Sequence, residues 1–125
     1  MHVIEHARLG PSSIPGIEHR TLASRAQGLQ HLSLWRQSVA AGGATPPHRH
    51  DCEEVVVILA GRGRLVVDGV THAFGPDTTL ILPAHVDHQI FSDGPGALEC
   101  IAAFAATPVA VVTPDGTPLE LPWAS

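Results

Sequence analysis

Residues 42–61 have the sequence GGATPPHRHDCEEVVVILAG, in which two histidines and a carboxylate lie between framing glycines. Side chains of an extended chain alternate between its two faces, so positions two apart point the same way. His48, His50 and Glu54 occupy even positions and can converge on one point if the segment is extended. Imidazole nitrogens with one carboxylate oxygen suit a divalent transition metal. The stretch therefore predicts a metal site, with His88 on a later segment as a fourth ligand.

The composition is that of one modest globular domain. The chain has 125 residues, 44% of them hydrophobic, and a formal net charge of −5 at pH 7. A chain of this length can bury a core without disulfides. The negative charge and the lack of a basic stripe argue against nucleic acid as a partner. Nine histidines are an unusual count, and they include His85 close to His88.

Cysteine usage and hydropathy lead to an expected compartment. Two cysteines do not make a disulfide framework, and the first residues lack the basic start and apolar core of a signal peptide. We therefore expect the reducing cytoplasm. The longest apolar runs, such as residues 55–60, are too short to span a bilayer, so no membrane partner is expected.

Turn signals recur about every ten residues and helical periodicity is hard to find, which is typical of an all-β sandwich or barrel. Asp68-Gly69 is a strong hairpin signal, and a last hairpin is predicted around residues 114–116. We expect about eight to ten short antiparallel strands in a single domain. Its parts are an N-terminal arm or edge strand (1–28), a barrel core (29–106) and a C-terminal hairpin and tail (107–125).

The anchors of the opening stretch resemble the first signature of the cupin superfamily. That signature is Gly, five residues, His-x-His, three residues, Glu, six residues, Gly. Every anchor is present, at Gly42, His48, His50, Glu54 and Gly61. The resemblance implies a small antiparallel β-barrel, or jelly roll, whose interior holds a metal. The implied ligands are His48, His50, Glu54 and His88.

The second cupin signature is Gly, five residues, Pro-x-Gly, two residues, His, three residues, Asn, and it is matched only in part. Pro83 and His88 fit it, whereas Asp77, His85 and Ser92 stand where the family has Gly, Gly and Asn. A glycine in such a turn usually serves a positive φ, which histidine tolerates better than branched residues do. The departures therefore concern the turn before His88 more than the ligands.

Three residues are candidates for catalytic roles. Glu54 could leave the metal and act as a base. His85 is balanced between an exposed turn residue and a group that contacts either a metal ligand or the substrate. Arg36 is favoured over Gln37 to reach the pocket, because it shares the parity of two nearby leucines. Cys52 shares the parity of the ligands, but a small buried thiol is the commoner outcome.

The remaining histidines and the apolar positions receive simpler interpretations. Histidines outside the motifs are expected to be ordinary hydrogen-bonded or exposed residues, namely His2, His6, His19, His31 and His72. Alternating apolar positions predict a mostly apolar barrel lining and hence a small, partly hydrophobic substrate. The positions concerned are Val56, Ile58, Leu80, Leu82 and Ile90.

Four protein ligands leave open positions on a five- or six-coordinate ion, as in catalytic rather than closed structural sites. The first hypothesis is therefore a metal-dependent enzyme, by resemblance a dioxygenase, decarboxylase or isomerase, acting on a small enol, dicarbonyl or carboxylate. Fe, Mn, Ni, Zn and Cu all suit the ligands. The alternatives are a barrel that binds or senses a small molecule without turnover, and a metal-free epimerase-type barrel.

A homodimer is expected, because unpaired sheet edges favour association of small β-barrels. Residues 1–20 and the tail around Trp123 are the candidate interface.

Overall fold

The fold consists of short antiparallel strands joined by turns. The computed structural model describes residues 2–125, and over these residues nine strands form two sheets. The strands are β1 (Ser12–Ile14), β2 (Ile17–Ala23), β3 (Ser33–Val39), β4 (Glu54–Ala60), β5 (Gly63–Val67), β6 (Val70–Phe74), β7 (Thr78–Leu82), β8 (His88–Ser92) and β9 (Leu98–Phe104). Single 3-10 turns lie at His6–Arg8 and Arg25–Gln27. The all-β fold class is confirmed.

Two sheets enclose the core in a jelly roll. The larger sheet has the strand order β1-β2-β3-β9-β4-β7 and the smaller one β6-β5-β8. Every strand pair is antiparallel. Both sheets supply the hydrophobic core, which includes Val39, Val56, Ile58, Leu65, Ile90 and Phe104.

Strand β4 shows the alternation that the sequence predicts. Glu54, Val56 and Ile58 are at most 6% exposed, whereas Val55 and Val57 are at least 37% exposed. β-Branched residues suit this pleated, half-buried position. The strand therefore carries a carboxylate into a mostly apolar interior.

His48 and His50 precede this strand in an extended loop and do not lie on it. A bend at residues 51–52 separates them from Glu54. The loop is positioned instead by pairing with β8, to which the Thr45 N–H donates a hydrogen bond of 2.9 Å. The explanation by alternation along a single strand is therefore wrong. Convergence of the side chains depends on pairing between distant segments.

Left-handed backbone conformations occur in several turns, three of which bear on the predictions. Asp68 and Gly69, with φ of 49° and 76°, join β5 to β6 in the predicted hairpin. Gly61 has φ of 89°, and a Cβ atom there would lie 2.7 Å from the carbonyl oxygen of Ala97. The glycine that closes the first signature is thus required by space as well as by conformation. His85 has φ of 67°, as expected for a position that is glycine in the signature.

Segments near both ends of the described chain pair with the rest of the fold. The segment predicted as an arm or edge strand supplies β1 at the sheet edge and β2 inside the sheet, paired with β3. Near the other end, Val112 bridges Pro118 around the predicted hairpin turn. Among residues 2–125, no helix has the length and hydropathy of a membrane span.

Candidate metal centre and cavity

A cavity of about 40 Å³ lies inside the barrel. Its walls are mostly apolar, and Val56 and Ile90 are among them, as predicted. The other three predicted lining residues, Ile58, Leu80 and Leu82, belong to the buried core. Four polar side chains that face the cavity are His48, His50, Glu54 and His88. The predicted ligands therefore share one mostly apolar space.

The imidazoles of His48, His50 and His88 converge. One nitrogen from each ring lies within 4.8 Å of the other two, and the ring centroids are 4.4 to 5.3 Å apart. Backbone bonds join the two segments that carry them, because His48 N–H donates to the His88 carbonyl at 3.1 Å and His88 N–H donates back at 2.8 Å. Three histidines in this arrangement could hold a metal ion.

Each of these imidazoles has its Nδ1 atom bonded to a backbone carbonyl. Because a carbonyl oxygen only accepts, Nδ1 donates its proton in each ring, and Nε2 is the nitrogen left to face a metal ion. Such outer contacts fix the orientation and tautomer of metal-binding histidines. The pairs are His48 with Pro46 at 2.6 Å, His50 with Ala110 at 2.8 Å and His88 with Val86 at 3.3 Å.

Glu54 completes the cluster. Its Oε1 atom lies 3.3 Å from His50 Nε2 and 3.4 Å from His88 Nε2. Burial would raise the pKa of Glu54, but the contacts with His50 and His88 outweigh it and lower the pKa to about 2. Burial, with His88 nearby, lowers the pKa of His48 to about 4. At neutral pH the cluster therefore combines a carboxylate with a neutral His48 imidazole.

These residues fit a divalent cation. His50 Nε2 and Glu54 Oε1 are buried and have no hydrogen-bond partner. A carboxylate oxygen and imidazole nitrogens that face each other at 3.3 to 3.4 Å need a positive charge among them, which a bound cation would supply. Nitrogen and oxygen donors of this kind are those that first-row transition metals accept.

Arg36 does not reach the cavity, whereas Gln37 does. Arg36 is exposed and pairs with Glu99 at 3.7 Å on the outer face of the sheet. Gln37 lines the cavity, because it lies opposite the inward-facing Cys100 in the β3–β9 pairing. The prediction that Arg36 faces inward is therefore wrong. It rested on the shared parity of Arg36 with Leu32 and Leu34, and Leu32 is itself 55% exposed.

His85 and Cys52 also lie apart from the three-histidine cluster. His85 is exposed and does not line the cavity, although its N–H donates to the His50 carbonyl at 2.7 Å. Its contribution to the site is therefore made through the backbone. Cys52 is half-buried against the core, and the group of three histidines does not include it.

Residues near the C-terminal end of the chain also line the cavity, a role that was not predicted from the sequence. Leu119, Leu121 and Trp123 line the cavity. Their spacing of two residues is the signal that would have indicated one inward face. Trp123, in the tail predicted to lie at a dimer interface, stacks on His19 of the same chain, with ring centroids 3.8 Å apart.

A jelly roll with a histidine-rich cluster facing an apolar cavity defines a class of β-barrels with a potential metal site rather than one activity. The Cupin domain family matches residues 35–104 of the sequence. The chain belongs to the cupin family, which confirms the resemblance inferred from the signatures.

The most informative relatives are plant proteins. The chain is 32% identical to auxin-binding protein 1 of Arabidopsis thaliana over 108 residues, which are 78% of this chain and 54% of that protein. It is 31% identical to auxin-binding protein T85 of Nicotiana tabacum over 112 residues, 80% of this chain and 60% of that protein. The chain thus spans between half and two thirds of the length of these relatives.

A solved structure supports the fold. The polyketide cyclase RemF of Streptomyces resistomycificus superposes with a TM-score of 0.74 at 21% identity, covering 97% of this chain and 87% of that one. At this identity the likeness concerns the fold and not the activity.

Proposed function

We propose that this chain is a metal-binding cupin that holds a small organic ligand beside the metal. The metal is a divalent transition ion (Fe, Mn, Ni, Zn or Cu), and the protein ligands are His48, His50, Glu54 and His88. The observation that carries the proposal is that two buried atoms able to ligate a metal, His50 Nε2 and Glu54 Oε1, have no hydrogen-bond partner. When bound, such an ion acts as a Lewis acid toward an oxygen of the ligand.

The surroundings of the cluster indicate the kind of ligand. A divalent ion with one carboxylate ligand, Glu54, keeps a net positive charge, which a carboxylate or enolate oxygen would complement. The rest of the cavity is mostly apolar, with the Gln37 amide as a polar group on its wall. The ligand class is therefore a small, largely apolar carboxylate or enol. Two relatives are named for binding auxin, which supports a binding role for this chain.

Metal-dependent turnover is the second candidate. It is favoured because three imidazoles and one carboxylate do not fill the coordination of a six-coordinate ion, and the cluster faces an apolar cavity. Glu54 suits the role of a ligand better than that of a base, since its pKa is lowered to about 2. A reaction at this site would be of the dioxygenase, decarboxylase or isomerase type.

The test is metal and ligand binding by the purified protein. Chelator-treated protein is reloaded separately with Fe(II), Mn(II), Ni(II), Zn(II) and Cu(II), and bound metal is measured after gel filtration. Each loaded form is then screened against arylacetates, 2-oxo acids and 1,3-diketones by thermal shift, oxygen uptake and product analysis. Stabilisation without product supports the binding role, and product with one metal supports the enzyme.

Matched variants control the experiment. His48→Ala is expected to abolish metal retention and ligand-induced stabilisation, whereas His72→Ala, an exposed histidine on β6, is expected to preserve both. Wild-type protein that retains none of the five metals would overturn the proposal and would favour the metal-free epimerase-type barrel.

A further inference from the structure

The chain from residue 109 to residue 125, here called the C-terminal segment, forms part of the cavity wall through Val111 and three later residues. It is bonded to the loop that carries two of the proposed ligands. The Arg49 N–H donates to the Val112 carbonyl at 2.8 Å, and the Val112 N–H donates to the Arg49 carbonyl at 3.0 Å. The segment and the loop thus form a short antiparallel bridge at the residue between His48 and His50.

The same segment supplies the carbonyl that orients His50. His50 Nδ1 donates to the Ala110 oxygen at 2.8 Å, and the imidazole is buried. The corresponding carbonyls for the other two imidazoles come from residues two positions before each of them. His50 is therefore the ligand whose orientation depends on a remote part of the chain.

The Arg49 side chain joins three segments at one point. Its Nη1 atom donates to Asp87 Oδ1, to the Thr113 carbonyl and to the Pro114 carbonyl, each at 3.2 Å. Asp87 is the residue before His88, so the guanidinium contacts the second ligand-bearing segment as well as the C-terminal segment. The Arg49 side chain is 29% exposed, which leaves these bonds partly shielded from water.

We propose that Arg49 is a positioning residue that couples metal binding to docking of the C-terminal segment, an inference that rests on the proposed metal site. The metal needs His50 in its observed orientation, and that orientation needs Ala110 in place. By thermodynamic linkage, a docked segment raises metal affinity and bound metal stabilises the docked segment by the same factor. Arg49 links the two, because its side chain bonds both to the residue before His88 and to the C-terminal segment.

The first test compares three arginine variants by Co(II) titration, following the d–d absorption of the bound ion. Arg49→Met keeps the side-chain length but removes the donors, and it is expected to weaken Co(II) binding about 10- to 100-fold, as losses of outer contacts do. Arg49→Lys is expected to restore part of that affinity. The matched control is Arg64→Met, because Arg64 forms a comparable ion pair with Asp93 at 3.1 Å on the smaller sheet. It is expected to bind Co(II) within twofold of wild type.

The second test uses the wild-type chain and holds even if Arg49→Met does not fold. Zn(II) is expected to slow amide hydrogen exchange at Val112 and Leu119 more than at amides of the β5–β6 hairpin. Equal slowing in both regions would overturn the coupling, as would wild-type Co(II) affinity in Arg49→Met. Both results would leave the metal site intact. Wild-type protein that binds neither ion would instead overturn the proposed function, and the coupling with it.

Discussion

His19 is buried like His50 and His88 of the three-histidine cluster, but the hydrogen bonds of its ring differ from theirs. In the cluster, Nδ1 donates to a backbone carbonyl and Nε2 is left free. In His19, both ring nitrogens have side-chain partners, with Gln37 at 3.0 Å from Nδ1 and Thr21 at 2.7 Å from Nε2. The Thr21 hydroxyl donates to the Ala124 carbonyl, so it accepts from His19 and places the proton on Nε2.

The difference shows what distinguishes a structural histidine from a ligand. Burial is shared, since His19 is 2% exposed and His50 is 3% exposed. A ring whose two nitrogens are both satisfied, and whose face stacks on Trp123, has no atom left for a metal. A ring such as His50, with one satisfied nitrogen and a second that is buried without a hydrogen-bond partner, has lost hydration without compensation unless a cation binds.

The largest expected effect concerns a member of the cluster. His50→Ala removes one donor and leaves the other three, so we expect Zn(II) affinity to fall by more than the roughly 10- to 100-fold that outer contacts cost. The measurement is competitive titration against a chromogenic chelator. If His50→Ala retained wild-type affinity while His19→Ala lost it, the roles assigned to the two environments would be reversed.

Replacing His19 tests whether this histidine stabilises the fold without contributing to metal binding. We expect His19→Ala to lower the free energy of unfolding by about 2 to 4 kcal/mol, because it opens a cavity next to Trp123, leaves the Gln37 amide without its partner and removes one of the two bonds of the Thr21 hydroxyl. Zn(II) affinity should stay within about threefold of wild type. Urea denaturation and the chelator titration measure the two quantities separately, and exposed His31→Ala is the control.

The pH dependence of stability follows from the shared burial. Burial lowers the pKa of His19 to about 4, and burial, with His88 nearby, does the same for His48. Below pH 6.5 these histidines bind protons in the unfolded chain but not in the folded chain. The free energy of unfolding therefore falls as the pH drops from 6.5 toward 4. Above pH 6.5 these two histidines do not change the free energy of unfolding with pH. Urea denaturation of metal-free protein at pH 7.5, 6 and 5 checks this.

The same series on His19→Ala isolates one of the two groups. That variant is expected to lose less stability between pH 6.5 and 5 than wild type, since one of the two lowered pKa values is absent. Identical slopes in the two proteins would mean that His19 does not resist protonation in the folded state.

The smallest expected effect concerns Gln37, which links the two environments by bonding His19 and lining the cavity. Gln37→Leu keeps the volume but removes the amide. We expect a loss of about 1 kcal/mol in unfolding free energy, unchanged Zn(II) affinity, and weaker stabilisation by carboxylate ligands in thermal shift. A parallel loss of metal affinity would place Gln37 among the metal-orienting residues.

The sequence predicts which residues form the cluster, but it does not predict the surroundings of His19. The two signatures locate the four residues of the cluster, because ligand chemistry needs particular residue types at fixed spacings. His19 is expected to be hydrogen-bonded or exposed, but nothing in the sequence shows which partners it finds. Thr21 is two residues away, but its other neighbours lie in β3 and near residue 123, and long-range pairing of this kind leaves no local pattern.

The orientation of β3 shows the same limit. Arg36 and Gln37 alternate, and local parity alone does not decide which of them faces inward. The register with β9, which sets Gln37 opposite Cys100, decides it. Two nearby leucines suggested the opposite face, because apolar side chains on an outer sheet face are common.

The backbone pairing of His48 with His88 has a consequence for folding. The two residues are joined by two hydrogen bonds but lie far apart in the chain, so this contact forms only after the barrel closes. Before closure, the unfolded chain offers a metal little more than the local His48-Arg49-His50 pair of imidazoles. A metal that needs the whole cluster then acts on the rate of unfolding rather than on the rate of folding. The ion would therefore lengthen the lifetime of the closed barrel without speeding its formation.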